Sequence, residues 1–134
     1  MTLTTDKIGK IEAKGISKKY LNKMGKTRLA LIQMKMSSEK KKNISSAVSK
    51  IYKAKKKGAE IICLPELFLT NYFCQVEKHS NFNLAESIPG PTTDIFSPLA
   101  KELNLILLLS VFEKRTSGIY HCLLYTSPSP RDRG

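Results

Sequence analysis

Apolar residues along this chain fall into three short runs and two helical stripes, punctuated by glycine, proline and lysine. Arg28 to Met34 (RLALIQM) is a run interrupted only by Gln33, the pattern of a strand covered on both faces. From Glu39 to Lys57 the apolar set Ile44, Ala47, Val48, Ile51 and Ala54 recurs at three- and four-residue steps and leaves the lysines outside. Ser37 or Ser38 offers the N-cap. Glu39 at the start and Lys55, Lys56 and Lys57 at the end suit the helix dipole, and Gly58 stops the helix. Ala59 to Leu64 is the second strand. Strand, helix and strand with short connections predict a right-handed crossover and a parallel pair.

Residues 67–90 carry no period, but Phe68, Tyr72, Phe73 and Phe82 argue for a packed loop. Ile88-Pro-Gly-Pro91 is a turn, with Pro91 placed to open a helix over Thr92 to Leu103. Pro98 lies inside that helix and predicts either a kink or a later start, near Phe96 or Ser97. Leu105 to Phe112 is the third strand, with Asn104 as its turn. The order β-α-β-loop-α-β defines an α/β fold with strands covered on both sides. Three strands leave both sheet edges bare, so the domain reads as unfinished.

The ends follow different rules. Residues 1–25 read as a flexible basic extension, with Met24 as an alternative start. Residues 122–134 turn to Ser, Pro and Arg and read as a foreign tail, a sequence artefact. The organised part is therefore expected within residues 26–121.

Composition narrows the function classes. No apolar run reaches the length of a membrane span, and the longest, Leu103 to Phe112, is broken by Asn104 and Ser110. Lysine and aspartate from residue 6 onward, with no apolar stretch, argue against a signal peptide. Cys63, Cys74 and Cys122 form no disulfide framework and read as reduced thiols in a cytoplasmic protein. Residues 1–57 hold 17 Lys or Arg against Asp6, Glu12 and Glu39, which raises a nucleic-acid reading. With only Tyr20 and Tyr52 for stacking and little arginine, a solvated lysine face is the simpler explanation. Gly25-Lys26-Thr27 lacks the upstream glycine of a phosphate loop and precedes a strand, so it is set aside.

Candidate chemistry concentrates in Ile61-Ile-Cys-Leu-Pro-Glu66. A carboxylate following a buried strand stands at the end where ligands bind in open α/β sheets. An apolar surround would tune such a group toward proton transfer, and the alternative is a Glu that caps a loop through backbone N–H groups. Cys63, three residues earlier, faces the other way and reads as packing. Cys74 and His79 form a local thiol–imidazole combination in the loop. The cysteines and histidines lack paired metal-ligand spacing. Asn43-Ile-Ser fits a glycosylation sequon but falls in the first helix.

Taken in order, TRLALIQM, the helix ending in KKKGAEIICLPELFLTNYFCQ, and LAESIPGPTTDIFSPLAKELNLILLLSVFEKRTSGIYH resemble the opening of the nitrilase, or carbon–nitrogen hydrolase, superfamily. NYFCQ and LAESIPGPTT are most similar to its N-carbamoylputrescine amidase and β-ureidopropionase-like branch. The resemblance implies an α-β-β-α sandwich, here truncated at its C-terminal side, and a Glu-Lys-Cys triad acting on an amide, nitrile or carbamoyl group. Glu66 matches the triad glutamate as general base. The lysine and nucleophilic cysteine belong to motifs beyond residue 121 that these residues do not carry, and Lys101, Lys114 and the three cysteines take no role. Tyr72 and Phe73 are expected to rim the substrate pocket. The resemblance implies a small amide or N-carbamoyl substrate and a homo-oligomeric parent in polyamine or ureide metabolism; no cofactor, metal or membrane partner is expected, and the lysine pattern disfavours nucleic acid. The chain itself is expected to be inactive. The alternatives are a non-catalytic fragment that binds an oligomer partner and a lysine-rich nucleic-acid binder.

Overall fold

A computed structural model describes residues 8–10, 27–74, 78–116 and 118–127. Its frame is a five-stranded sheet in the order β1 (Ile8–Lys10), β2 (Arg28–Leu31), β3 (Ile61–Cys63), β4 (Ile106–Thr116), β5 (Ile119–Ser127). The inner pairs β2–β3 and β3–β4 are parallel, as the strand–helix–strand pattern requires, and the outer pairs are antiparallel. Helices α1 (Lys40–Lys56) and α2 (Pro91–Glu102) make the two crossovers.

The register explains where the core sits. Ala30, Ile62 and Leu107 stand side by side across the three parallel strands and are all buried. They pack with Ala47, Ile51 and Ala54 of α1 and with Phe96, Leu99 and Ala100 of α2. The next row, Leu31, Cys63 and Leu108, points to the opposite face and is only half-buried, and Ile106 beside Ile61 is exposed. Two crossovers of the same hand, stepping in the same direction along the sheet, place both helices on one side. The expected cover on both faces is therefore corrected: among the described residues both helices cover one face, while on the other the row Leu31, Cys63 and Leu108 stays half-buried and the loop after β3 packs only further along β4, against Ser110 and Phe112.

Local signals behave as their chemistry dictates. Gly58 ends α1 with φ +87°, a left-handed conformation that a side chain resists. Glu39 rather than a serine takes the N-cap position of α1, and its N–H donates to the Ser37 hydroxyl. Pro91 opens α2, which runs through Pro98. The carbonyl that Pro98 cannot bond belongs to Asp94; both residues are exposed, so water can take that partner's place. Asn104 adopts φ +48° in the turn into β4, a conformation asparagine tolerates.

Two strands were not expected. Ile8–Lys10 pairs with β2 inside the stretch read as a flexible extension. Strand β5 pairs with β4 from Ile119 through Ser127, past the boundary placed at residue 121.

The half-buried apolar row leads to a measurable outcome. Replacing Leu31 and Leu108 together by Thr, which suits a strand, should lower the fluorescence of a bound hydrophobic dye and the self-associated fraction in sedimentation. The helical circular dichroism should not change.

Candidate functional site

The site begins where β3 stops. The Leu64 N–H donates to the Leu108 carbonyl at 3.0 Å, Pro65 ends the pairing, and Glu66 opens a turn closed by the Thr70 N–H on the Leu67 carbonyl at 3.2 Å. The next three residues, Leu67, Phe68 and Leu69, are buried, and Phe68 meets Phe96 of α2 edge-to-face with ring centroids 5.3 Å apart. Leu67 has φ +49°. For a leucine this left-handed conformation costs about 1–2 kcal/mol, and it persists because burial of its neighbours dictates it. Driving three apolar side chains inward leaves Glu66 facing out. Its carboxylate is exposed at the carboxyl end of a parallel strand, so the apolar surround expected around it is not formed by the described residues.

The loop that follows builds a wall beside this turn. A 3-10 helix spans His79–Leu84, and the Asn81 side-chain amide donates to the Phe73 carbonyl at 3.4 Å. Between them lies a cleft of about 480 Å³ walled by the rings of Phe73, Phe82 and Phe112, with Cys74, Lys78, His79 and Asn81 supplying its polar groups. The rings support one another: Phe73 and Phe112 lie 5.1 Å apart, and Phe82 and Tyr120 4.5 Å apart. Phe73 and Phe112 also border a narrow crevice with Leu67, Leu69 and Thr70, so cleft and Glu66 turn share a wall. Of the two expected rim residues, Phe73 lines the cleft, whereas Tyr72 is exposed and outside its lining. Glu66 does not line it either. Cys74 and His79 do, although they face a cleft with no described carboxylate in its lining to complete a triad.

Two polar groups hold this rim: Glu86, which the sequence did not mark, and Asn43, which it marked only as a sequon. Glu86 is nearly buried; one carboxylate oxygen accepts from Lys40 Nζ at 3.0 Å and the other from the Thr92 N–H at 3.2 Å. The carboxylate thus compensates the N-terminus of α2 and ties it to α1. Glu86 also bonds β4 through its backbone, to the Phe112 carbonyl and the Lys114 N–H. Gly90 follows in a tight fold where a Cβ would run into the Ser87 carbonyl oxygen, and its N–H donates to Thr93 Oγ1 at 2.8 Å. Asn43 is buried in α1 and hydrogen-bonds the Glu66 turn through the Leu69 carbonyl. Its amide is therefore enclosed, against use as a glycosylation acceptor. The run AESIPGPT hinted at Glu86 through its turn chemistry; nothing local to Asn43 marks a contact 26 residues away.

The thiols divide by environment. Cys63 lies half-buried on the sheet face away from the helices, outside the core cluster, and burial pushes its thiol up from the ordinary range. Cys74 is exposed. Among the described residues no three His, Cys, Asp or Glu side chains gather as a metal site, and no helix is long and apolar enough to cross a membrane.

Comparison with known proteins decides the family. Residues 28–129 match the model of the carbon-nitrogen hydrolase family. This chain is a carbon–nitrogen hydrolase family member. It is 33% identical over 110 residues to the N-carbamoylputrescine amidase of Oryza sativa subsp. japonica, covering 81% of the chain and 36% of that protein. It is 32% identical over 101 residues to the citrullinase of Francisella tularensis, covering 75% and 35%. It is 40% identical over 95 residues to an omega-amidase of Mus musculus, covering 71% and 33%. A solved carbon-nitrogen hydrolase from Helicobacter pylori G27 superposes with a TM-score of 0.65 at 32% identity, covering 70% of the chain and 32% of that structure. The chain spans about a third of the length of these family members. The matched region extends past His121, as strand β5 does.

Two measurements check the site's electrostatics. Glu86→Gln keeps an acceptor for the Thr92 N–H but loses the ion pair with half-exposed Lys40. Urea unfolding should show a loss of about 1–2 kcal/mol. Iodoacetamide followed by peptide mapping should modify Cys74 well before Cys63 near neutral pH. Because the Cys63 thiolate forms only at more alkaline pH, the gap should narrow as pH rises.

Proposed function

We propose that this chain supplies the base-bearing part of a cytoplasmic amide or N-carbamoyl hydrolase, with Glu66 as its general base. One observation carries the reading: in a chain of this family, Glu66 is presented at the carboxyl end of β3, on a turn that shares a wall with the aromatic cleft. In the proposed reaction the carboxylate takes the proton of a cysteine thiol, and the sulfur attacks the carbonyl carbon. A lysine stabilises the resulting oxyanion, and the amine leaves with a proton to give a thioester. Glu66 then takes a proton from water as it attacks, which releases the acid and restores the thiol. The cysteine and lysine belong to family motifs that the 134 residues do not carry, so the chain alone is proposed to be inactive.

Similarity to N-carbamoylputrescine amidases supports an N-carbamoyl amine as substrate, in polyamine or ureide metabolism, and the family resemblance supports a homo-oligomeric parent. Phe73 and Phe112 would pack against the chain of such a substrate. The half-buried row Leu31, Cys63 and Leu108 favours a second reading, a non-catalytic fragment that assembles with a longer family member. Size-exclusion chromatography of the two together would reveal that complex.

The functional test combines binding and turnover. N-carbamoylputrescine should shift the amide resonances of Phe73 and Phe112, and no ammonia should be released by the chain alone. Unmoved resonances would count against the cleft as the substrate wall. Turnover lost in Glu66→Gln would refute inactivity while supporting the base, and turnover insensitive to that change would remove Glu66 from the mechanism.

A further inference from the structure

The rim that carries Glu66 is tied to the first turns of α1 by one buried side chain. Asn43 is 1% exposed. Its Nδ2 donates to the Leu69 carbonyl at 2.9 Å and to the Ser37 carbonyl at 2.8 Å, and its Oδ1 accepts from the Ser37 N–H at 2.8 Å. Only one orientation of the carboxamide satisfies these groups, because the reverse would set its oxygen against two carbonyl oxygens. The reciprocal bonds to Ser37 fix the plane of the amide, and its remaining N–H is thereby aimed at Leu69.

Leu69 is three residues beyond Glu66 in a turn with little freedom. Leu67 and Phe68 are buried, Leu67 holds a left-handed conformation, and the Thr70 N–H closes the turn on the Leu67 carbonyl. Displacing the Leu69 carbonyl therefore displaces Glu66. The bond to that carbonyl is buried, so removing the amide takes a desolvated partner from its oxygen.

We propose that Asn43 is the positioning residue of the Glu66 turn: its buried carboxamide anchors the Leu69 carbonyl to α1 and so sets where the carboxylate stands on the rim. The functional meaning rests on reading Glu66 as the general base; the anchoring itself does not. The chemistry required at position 43 is two N–H donors and one acceptor in one plane. Leucine has the volume without the donors. Aspartate has the acceptor and regains a single donor when protonated.

Amide hydrogen exchange on the isotope-labelled 134-residue chain tests this. Protection at Thr70 is compared with Leu109 in the core strand, each normalised to the unsubstituted chain at the same pH. Asn43→Leu should lower Thr70 protection about tenfold, the equivalent of one buried hydrogen bond, and broaden the Glu66 resonance while Leu109 stays protected. Asn43→Asp should show the same loss at pH 7 and recover part of it near pH 4, where the side chain can donate again. Should Asn43→Leu fail to fold, the pH series of Asn43→Asp decides alone. Unchanged Thr70 protection in Asn43→Leu, or no recovery of Asn43→Asp at low pH, would overturn the proposal. Neither readout depends on turnover, so failure of the anchoring and failure of Glu66 as base are separate results.

Discussion

The structure depends on one constraint: a parallel strand pair cannot be closed by a tight turn. The chain must leave β2, cross over the sheet and return to start β3, then repeat the manoeuvre to start β4. Because both crossovers have the same hand and step the same way, α1 and α2 land on one face. The buried row Ala30, Ile62 and Leu107 follows from that, as does the half-buried row Leu31, Cys63 and Leu108 behind it. All three strand ends on one rim also follow, and the candidate site occupies that rim.

At the rim the fold exchanges local comfort for placement. Leu67 accepts a conformation better suited to glycine so that it, Phe68 and Leu69 can enter the core. The outcome is an exposed carboxylate on a turn pinned by apolar packing from below and by a hydrogen bond from α1. Glu86 does the corresponding job for the loop on the far side, joining α1, α2 and β4 through both its side chain and its backbone. The first turns of α1, through Lys40 and Asn43, therefore reach both loops.

Much of this was legible in the residues alone. Helix α1 is written in a three- and four-residue period, Gly58 and Pro91 mark boundaries by their own backbone chemistry, and the strand before Glu66 is an apolar run of the right length. Motif order sufficed for the family. The exposure of Glu66 was not legible, since the apolar residues beside it could have surrounded the carboxylate as easily as turned away from it. Strand β5 was missed although its residues IYHCLLYTS are largely apolar and aromatic, because the Ser-, Pro- and Arg-rich residues that follow drew the boundary at residue 121.

The sequence by itself determined the three inner strands with their two helices, the parallel order of those strands, the family and the identity of the candidate base. These rest on periodicity, on residues with special backbone freedom and on motifs, all of which are local along the chain. Only the tertiary structure decided that both helices fall on one sheet face, that Phe73 enters the cleft while Tyr72 does not, and that Asn43 and Glu86 hold the rim. Those outcomes depend on crossover direction and on hydrogen bonds between residues 26 and 46 positions apart, which no local pattern encodes.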